Sequence, residues 1–126
     1  MGITYDAGAL IAADRNDRQM WALHAGFLAE EVLPTVPSVV VAQAWRGRAR
    51  EVNIARLLAP CAIEALEHER ARSAGVMLGW ADRSDVVDAV VVEGALRRDD
   101  VVVTSDPDDL VHLADAAGVR LRIRRI

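Results

Sequence analysis

Three aspartates stand where predicted strands and helices could gather them. Asp6 directly follows a short apolar segment at residues 3–5, and Asp106 follows the valine-rich segment 101–104. Asp88 lies about one turn into the helix that precedes this second segment. Clustered carboxylates repel one another, and a hard divalent ion such as Mg²⁺ or Mn²⁺ removes that repulsion through oxygen ligands. Such an ion can activate water for attack on a phosphate, so the pattern predicts a site for cutting phosphodiesters.

The helix that carries Asp88 is the central element of the chain. From Ala89 to Ala95 it is apolar on almost every face, with Glu93 as the main exception, which is typical of a buried helix. An aspartate near the start of such a helix needs a partner or a metal ion. We expect Ser84 to cap this helix and Asp85 to complement its N-terminus.

Short strand patterns alternate with helix patterns along the chain. Strands are predicted at 3–5, 36, 61–63, 101–104 and 119–126, and helices at 7–13, 18–32, 39–46, 51–58, 67–80, 84–97 and 108–117. The segment 101–104 shows no alternation of apolar and polar residues, as expected for a strand covered on both faces. The last strand alternates, with Val119, Leu121 and Ile123 on one face, and suits a sheet edge. The prediction is an α/β domain with a central, mainly parallel sheet and helices on both faces. In such a sheet, ligands bind beyond the carboxyl ends of the strands.

Length and composition fit one globular domain over residues 1–126. The single cysteine, Cys61, excludes an internal disulfide and favours a reducing, cytoplasmic setting. No apolar run is long enough for a membrane span, and no signal peptide is expected at the start. The net charge is −4 and every basic residue is arginine, with one group between Arg46 and Arg56 and another between Arg120 and Arg125.

Several other chemistries are disfavoured. The three histidines, His24, His68 and His112, are far apart and lie on predicted helices, which does not suit a zinc site. No Gly-x-Gly-x-x-Gly follows the first strand, so dinucleotide binding is disfavoured. A phosphoryl-accepting receiver domain also clusters aspartates, but it normally needs a functional lysine and this chain has none.

Three segments in order resemble the PIN-domain ribonucleases, specifically the VapC-type toxins of bacterial toxin–antitoxin pairs. They are residues 3–11 (ITYDAGALI), 85–89 (DVVDA) and 102–110 (VVTSDPDDL). The resemblance covers nearly the whole chain in size, order and spacing. It implies a PIN-like fold with a parallel sheet and an acidic Mg²⁺ pocket, in which Mn²⁺ can substitute. It also implies metal-dependent endonucleolytic cleavage of RNA, a VapB-like antitoxin as partner, and a homodimer.

The resemblance also assigns site residues. Asp6, Asp88 and Asp106 match the first, third and fourth acids of the family and would be both catalytic and metal-binding. The second acid, usually glutamate, falls on Gln43, which would be a fourth catalytic residue; it can ligate through its carbonyl oxygen but brings no charge. Thr104 and Ser105 match hydroxyl positions that would bind water or phosphate, although ending a strand and capping a helix explains them as well.

Residues beside Gln43 suggest where RNA would lie. Arg46 could contact a phosphate, and the run Arg46, Arg48 and Arg50 is the favoured place for backbone contacts. Trp45 could stack on a base, although a core position is favoured. Three apolar side chains of the second helix could line a groove for an antitoxin helix or pack in the core; they are Trp21, Phe27 and Leu28. An alternative function stays open, because Gln43 could mark an inactive PIN-like module that acts through its antitoxin complex.

Overall fold

The computed structural model describes residues 2–48 and 51–126. Five strands and seven helices alternate in this part of the chain. The strands are β1 (Ile3–Tyr5), β2 (Thr35–Pro37), β3 (Ala62–Glu64), β4 (Val101–Thr104) and β5 (Arg122–Arg125). The helices are α1 (Ala7–Asp14), α2 (Arg18–Ala29), α3 (Ser38–Ala44), α4 (Val52–Leu58), α5 (His68–Ala81), α6 (Val86–Arg98) and α7 (Asp108–Ala116).

The strands form one parallel sheet in the order β3-β2-β1-β4-β5. Crossover connections between parallel strands are right-handed, so α1 to α4 lie on one face and α5 to α7 on the other. The contacts agree, since α1 packs against α2, α3 and α4, whereas α5, α6 and α7 pack against one another. The predicted α/β class, with a parallel sheet between two helical layers, is confirmed.

The centre of the sheet is the most deeply buried part of the fold. Tyr5 of β1 pairs in register with Val103 of β4, and both side chains have no exposed surface. Helix α6 is buried from Ala89 to Ala95, as its apolar sequence predicts. The largest fully buried side chains of the fold include Leu10, Met20, Ile54 and Leu57 on one face of the sheet and Leu110 and Leu113 on the other.

Several local predictions were wrong, each for a local reason. The side chain of Asp85, not Ser84, caps α6 by accepting a hydrogen bond from the Asp88 N–H at 3.0 Å. Helix α2 ends at Ala29, three residues before the predicted end at residue 32, and the chain turns away at Glu31 with a positive φ of 61°. Val119 is exposed because β5 begins only at Arg122.

No helix among the described residues combines the length and the apolar character that a membrane crossing requires.

Candidate active site

The carboxyl ends of β1 and β4 bring two of the predicted acids together. The two strands are neighbours in the sheet, and Asp6 and Asp106 follow them by one and two residues. Helix α6 runs back against the sheet before the chain reverses at Asp99, so its first turn, with Asp88, lies at the same edge. A parallel α/β sheet therefore gathers acids that are distant in sequence.

A cavity of about 210 Å³ at this edge collects the predicted site residues. Asp6, Asp88, Asp106 and Gln43 line it, together with Asp109 from the first turn of α7. The remaining lining residues are Ala7, Gly8, Ile11, Val87, Val91 and Ser105. The structure thus brings all four predicted catalytic residues to one cavity, while their roles stay predictions.

Asp6 has two structural tasks at once. Its carboxylate caps α1 by accepting a hydrogen bond from the Ala9 N–H at 3.1 Å, and it lines the cavity although it is 8% exposed. Burial raises the pKa of Asp6, and hydrogen bonds from the Thr104 hydroxyl and from the Ala9 and Gly8 backbone partly oppose that rise. Nearby Asp106 adds to it by charge repulsion.

The surroundings of Asp88 strongly disfavour the charged form of its carboxylate. Burial, followed by repulsion from Asp85, Asp109, Asp6 and Asp106, raises the pKa of Asp88 to about 6. Each of these contributions disfavours the charged carboxylate. A cation placed among these groups would favour the charged form and relieve the repulsion.

The donor set fits a hard divalent cation by its chemistry, since carboxylate and amide oxygens are the ligands that Mg²⁺ and Mn²⁺ prefer. Within residues 2–48 and 51–126, no three His, Cys, Asp or Glu side chains stand together in ligand geometry for one ion. Repulsion between like-charged carboxylates favours positions in which these side chains stand apart from one another.

Thr104 lies beside the fourth acid, Asp106, as the resemblance implied, but its side chain has no exposed surface. Its side chain is fully buried, so it cannot contact RNA, and that prediction was wrong. Its hydroxyl instead accepts a hydrogen bond from the Asp106 N–H and donates one to Asp6. Ser105 is exposed and lines the cavity, where its hydroxyl can reach a ligand.

Gly8 permits the close approach of α1 to the loop after β4. A Cβ atom built on Gly8 would overlap the hydroxyl oxygen of Ser105 and would lie 3.2 Å from the Asp6 carboxylate. A side chain here would therefore displace two lining residues of the cavity. Sequence reasoning missed both Gly8 and Asp109, and the only signal for Asp109 was its place three residues after Asp106.

A second, larger cavity of about 710 Å³ adjoins the acidic one and shares Ile11 and Gln43 with it. Arg15, Arg46 and Arg48 contribute positive charge to its lining. The Arg48 guanidinium pairs with the buried Glu51 carboxylate at 2.9 Å. Arg46 contributes to the lining as predicted, while its guanidinium donates to the carbonyls of its own helix end.

The remaining predictions near this edge had mixed outcomes. Trp45 is 39% exposed, so the favoured core position was wrong; α3 ends just before it, at Ala44. Arg50 lies outside the described residues. Trp21 donates its indole N–H to the Ala13 carbonyl and has the Arg56 guanidinium 5.1 Å from its ring centre, so it is committed to packing within the domain.

Comparison with known proteins identifies this fold. No protein-family model and no curated protein sequence matches the chain. Among solved structures, VapBC2 from Rickettsia felis, bound to a DNA fragment from its promoter, aligns with a TM-score of 0.74 at 12% identity, over 100% of this chain and 99% of that chain. VapC20 from Mycobacterium tuberculosis, described as a sarcin-ricin loop cleaving toxin, aligns with a TM-score of 0.66 at 14% identity over 94% and 96%.

FitAB bound to the IR36 DNA fragment aligns with a TM-score of 0.65 at 15% identity, over 96% of this chain and 94% of that chain. At such identities the similarity shows the fold alone. The chain therefore has the PIN-domain fold of VapC-type toxins, and the predicted resemblance is confirmed at that level.

Proposed function

We propose that this protein is a Mg²⁺-dependent endoribonuclease toxin that cleaves RNA phosphodiester bonds and is neutralised by a VapB-like antitoxin. The observation that carries the proposal is the cavity in which Asp6, Asp88, Asp106 and Asp109 converge beside Gln43. The raised pKa values of Asp6 and Asp88 support a cation as the missing counter-charge. The similarity in fold to VapC20, a toxin described as cleaving the sarcin-ricin loop, supports RNA as the substrate.

Asp6, Asp88 and Asp106 would hold the metal ion, with Asp109 and Gln43 as further oxygen donors. When bound, Mg²⁺ or Mn²⁺ supplies Lewis-acid polarisation of the phosphate and favours an activated water. The buried Thr104 hydroxyl keeps two of these acids in place, because it bonds both Asp6 and the backbone of Asp106.

The larger cavity gives the RNA backbone a path toward the acids. Arg15 and Arg46 line it, and arginine binds phosphate oxygens through paired N–H donors. Gln43 stands at the boundary of the two cavities. A neutral amide there repels an incoming phosphate less than a glutamate would, at the expense of affinity for the metal ion.

An antitoxin would have an apolar groove available on α2. A cavity of about 400 Å³ is lined by Ala22, Leu23, Gly26 and Phe27. The polar residues Gln19, Glu30 and Arg124 complete its lining. Phe27 was predicted for such a groove, whereas Trp21 and Leu28 do not line this cavity. An amphipathic helix packs into a groove of this kind with residues at i, i+3 and i+4.

Gln43 also supports a second candidate, an inactive PIN-like module that acts only through its antitoxin complex. The two functions differ in metal-dependent cleavage. The first experiment is incubation of antitoxin-free protein with total bacterial RNA in Mg²⁺ or Mn²⁺, with parallel samples that contain EDTA or the Asp88→Asn variant. Asp99→Asn is the matched control, because Asp99 lies at the far end of the same helix and is exposed.

Cleavage that is lost in EDTA and in Asp88→Asn but kept in Asp99→Asn would support the nuclease. Cleavage that survives Asp88→Asn would reject this cavity as the active site. The absence of cleavage together with no heat of divalent-ion binding by calorimetry would favour the inactive module.

A further inference from the structure

A further cavity of about 270 Å³ adjoins the acidic one. It shares Gly8, Ile11 and Ser105 with the acidic cavity. It also shares Ile11 and Arg15 with the larger, arginine-lined cavity. Ile11, which is 40% exposed, therefore lies where the three cavities meet. We call this space the Asp17 cavity, because Asp17 contributes a carboxylate to its lining.

The Asp17 cavity combines apolar surface with a few polar groups. The apolar surface comes from Ile11, Ala12 and Ile126. Ile126 is fixed beside the end of β4, because its N–H donates to the Thr104 carbonyl at 3.0 Å. The polar groups are a guanidinium, a carboxylate and a hydroxyl. Bases that leave the stack bind in sites of this composition, with apolar side chains against their faces and hydrogen bonds at their edges.

The carboxylate of Asp17 is oriented in advance and still has an oxygen available. Its Oδ1 caps α2 by accepting a hydrogen bond from the Met20 N–H at 2.9 Å. Its Oδ2 accepts no hydrogen bond from any residue that the structure describes. The Asp17 N–H donates to the Ala12 carbonyl at 3.0 Å, which fixes the turn between α1 and α2. A group held in place before binding loses little freedom when a ligand arrives.

Arg15 and Asp17 divide the cavity by charge. They lie two residues apart and line the same space, yet they form no ion pair with each other within residues 2–48 and 51–126. A guanidinium attracts phosphate, whereas a carboxylate repels it. We therefore expect the RNA backbone on the Arg15 side, and a neutral group with hydrogen-bond donors on the Asp17 side.

We propose that the Asp17 cavity binds an unpaired guanine base of the RNA, beside the phosphate at the acids, and that Asp17 selects this base. The inference rests on RNA as the substrate under the proposed function. Guanine presents its N1–H and its 2-amino group side by side on the Watson–Crick edge, and together they match the two oxygens of one carboxylate. Adenine and cytosine each present one amino group beside an acceptor nitrogen, and uracil presents one N–H between two carbonyls. Asp17 therefore makes two hydrogen bonds with guanine and one with any other base.

Binding of short single-stranded RNAs to the Asp88→Asn variant, in which cleavage is expected to be absent, tests the proposal. The RNAs are runs of adenosine with guanosine, inosine, cytidine or adenosine at the centre, and fluorescence anisotropy in Mg²⁺ measures their affinities. The RNA with guanosine should bind roughly fivefold to tenfold more tightly than the RNA of adenosine alone. Inosine lacks the 2-amino group, so its RNA should have an intermediate affinity.

Asp17→Asn in the same background separates base selection from helix capping. Asparagine caps a helix about as well as aspartate, so circular dichroism and thermal unfolding should match those of the parent. Its amide presents a donor beside an acceptor, which complements adenine rather than guanine. The variant should therefore bind the RNA of adenosine alone at least as tightly as the RNA with guanosine. Asp115→Asn, which removes the same charge from an exposed position of α7, is the matched control and should keep the guanosine preference.

Equal affinity for guanosine and adenosine, tightest binding of cytidine, no binding of any RNA, or a guanosine preference that survives Asp17→Asn would each overturn the proposal. Cleavage by the wild type is measured separately. RNA cleavage without a base preference would reject the guanine pocket and leave the nuclease in place. A guanosine preference that depends on Asp17, in a protein that cleaves no RNA, would support the pocket and reject the nuclease.

Discussion

The hydroxyl of Thr104 accepts a hydrogen bond from the backbone N–H of Asp106, with 3.1 Å between the two atoms. The same hydroxyl donates to the carboxylate of Asp6. Thr104 has no exposed surface and ends β4, the strand beside β1. One buried hydroxyl therefore couples the positions of two acids that are one hundred residues apart in the sequence.

Replacement of Thr104 by valine should disturb both acids. Valine keeps the shape but removes the acceptor of the part-buried Asp106 N–H and one of the hydrogen bonds to the buried Asp6 carboxylate, and a lost hydrogen bond of this kind costs about 0.5–1.5 kcal/mol of stability. We expect a lower free energy of unfolding in urea and slower RNA cleavage. Thr104→Ser keeps the hydroxyl and is the control. Equal activity of the valine and serine variants would show that the hydroxyl does not position the acids.

Substitution of Gly8 by alanine should displace residues that line the acidic cavity and lower the stability of the fold. The added Cβ overlaps the Ser105 hydroxyl oxygen and presses on Asp6, and overpacking of this kind costs about 1–3 kcal/mol. Gly8→Ala/Ser105→Ala should recover part of the lost stability in thermal unfolding. Gly26→Ala is the control, because open space surrounds Gly26 in α2 and the change should stabilise the helix by about 0.5–1 kcal/mol. If the double variant recovers no stability, the overlap with the Ser105 hydroxyl is not the cause of the loss in Gly8→Ala.

Gln43→Glu should tighten binding of Mg²⁺ or Mn²⁺. An added carboxylate beside Asp6 and Asp88 raises the negative charge of the cavity, and the expected gain is roughly tenfold, or about 1.4 kcal/mol. Isothermal titration calorimetry measures it. Gln19→Glu, the same change on an exposed part of α2, should leave the affinity unchanged. Unaltered affinity in Gln43→Glu would remove this residue from the metal site.

Arg15→Ala and Arg46→Ala should each weaken RNA binding. If each guanidinium contacts one phosphate, each variant should also reduce the slope of log affinity against log salt by about one. Binding is measured in the Asp88→Asn background, where cleavage is expected to be absent. Arg120→Ala is the control, because Arg120 is exposed and does not line the cavity. Unchanged salt slopes for both variants would exclude the larger cavity as the RNA path.

Because of His24, the free energy of unfolding should decrease in mild acid. Its ring is buried, its Nδ1 lies 2.9 Å from the Tyr5 hydroxyl, and burial lowers its pKa in the folded protein. The unfolded chain therefore binds more protons below about pH 6.5, so the free energy of unfolding decreases as pH falls through that value toward the folded pKa.

Asp6 and Asp88 have raised pKa values and act in the opposite direction, so the difference between wild type and His24→Gln isolates the histidine. Urea unfolding between pH 5 and pH 8, a range chosen to span about 6.5, measures it. His68→Gln, at an exposed histidine, should follow the wild type. Parallel curves for wild type and His24→Gln would contradict the prediction.

The sequence by itself determined the α/β class, the central buried helix and the acids at the strand ends. These follow from local patterns, since an unbroken β-branched run predicts a covered strand and an apolar helix predicts a buried one. Asp6 and Asp106 were predicted together because residues after parallel strands share one edge of the sheet, and Asp88 because it lies near the start of the helix that leads back to that strand.

The tertiary structure decided which faces are covered and by what. Helical period places Trp80 on a definite side of α5 but does not reveal that α6 and α7 cover only the other side. Likewise, the sequence left open whether the Thr104 hydroxyl binds a ligand or only ends the strand, and the structure shows it against Asp6 and the Asp106 backbone. Asp109 joins the site only because α7 begins beside α6. Such neighbours come from the order and packing of elements distant in sequence, which local patterns do not encode.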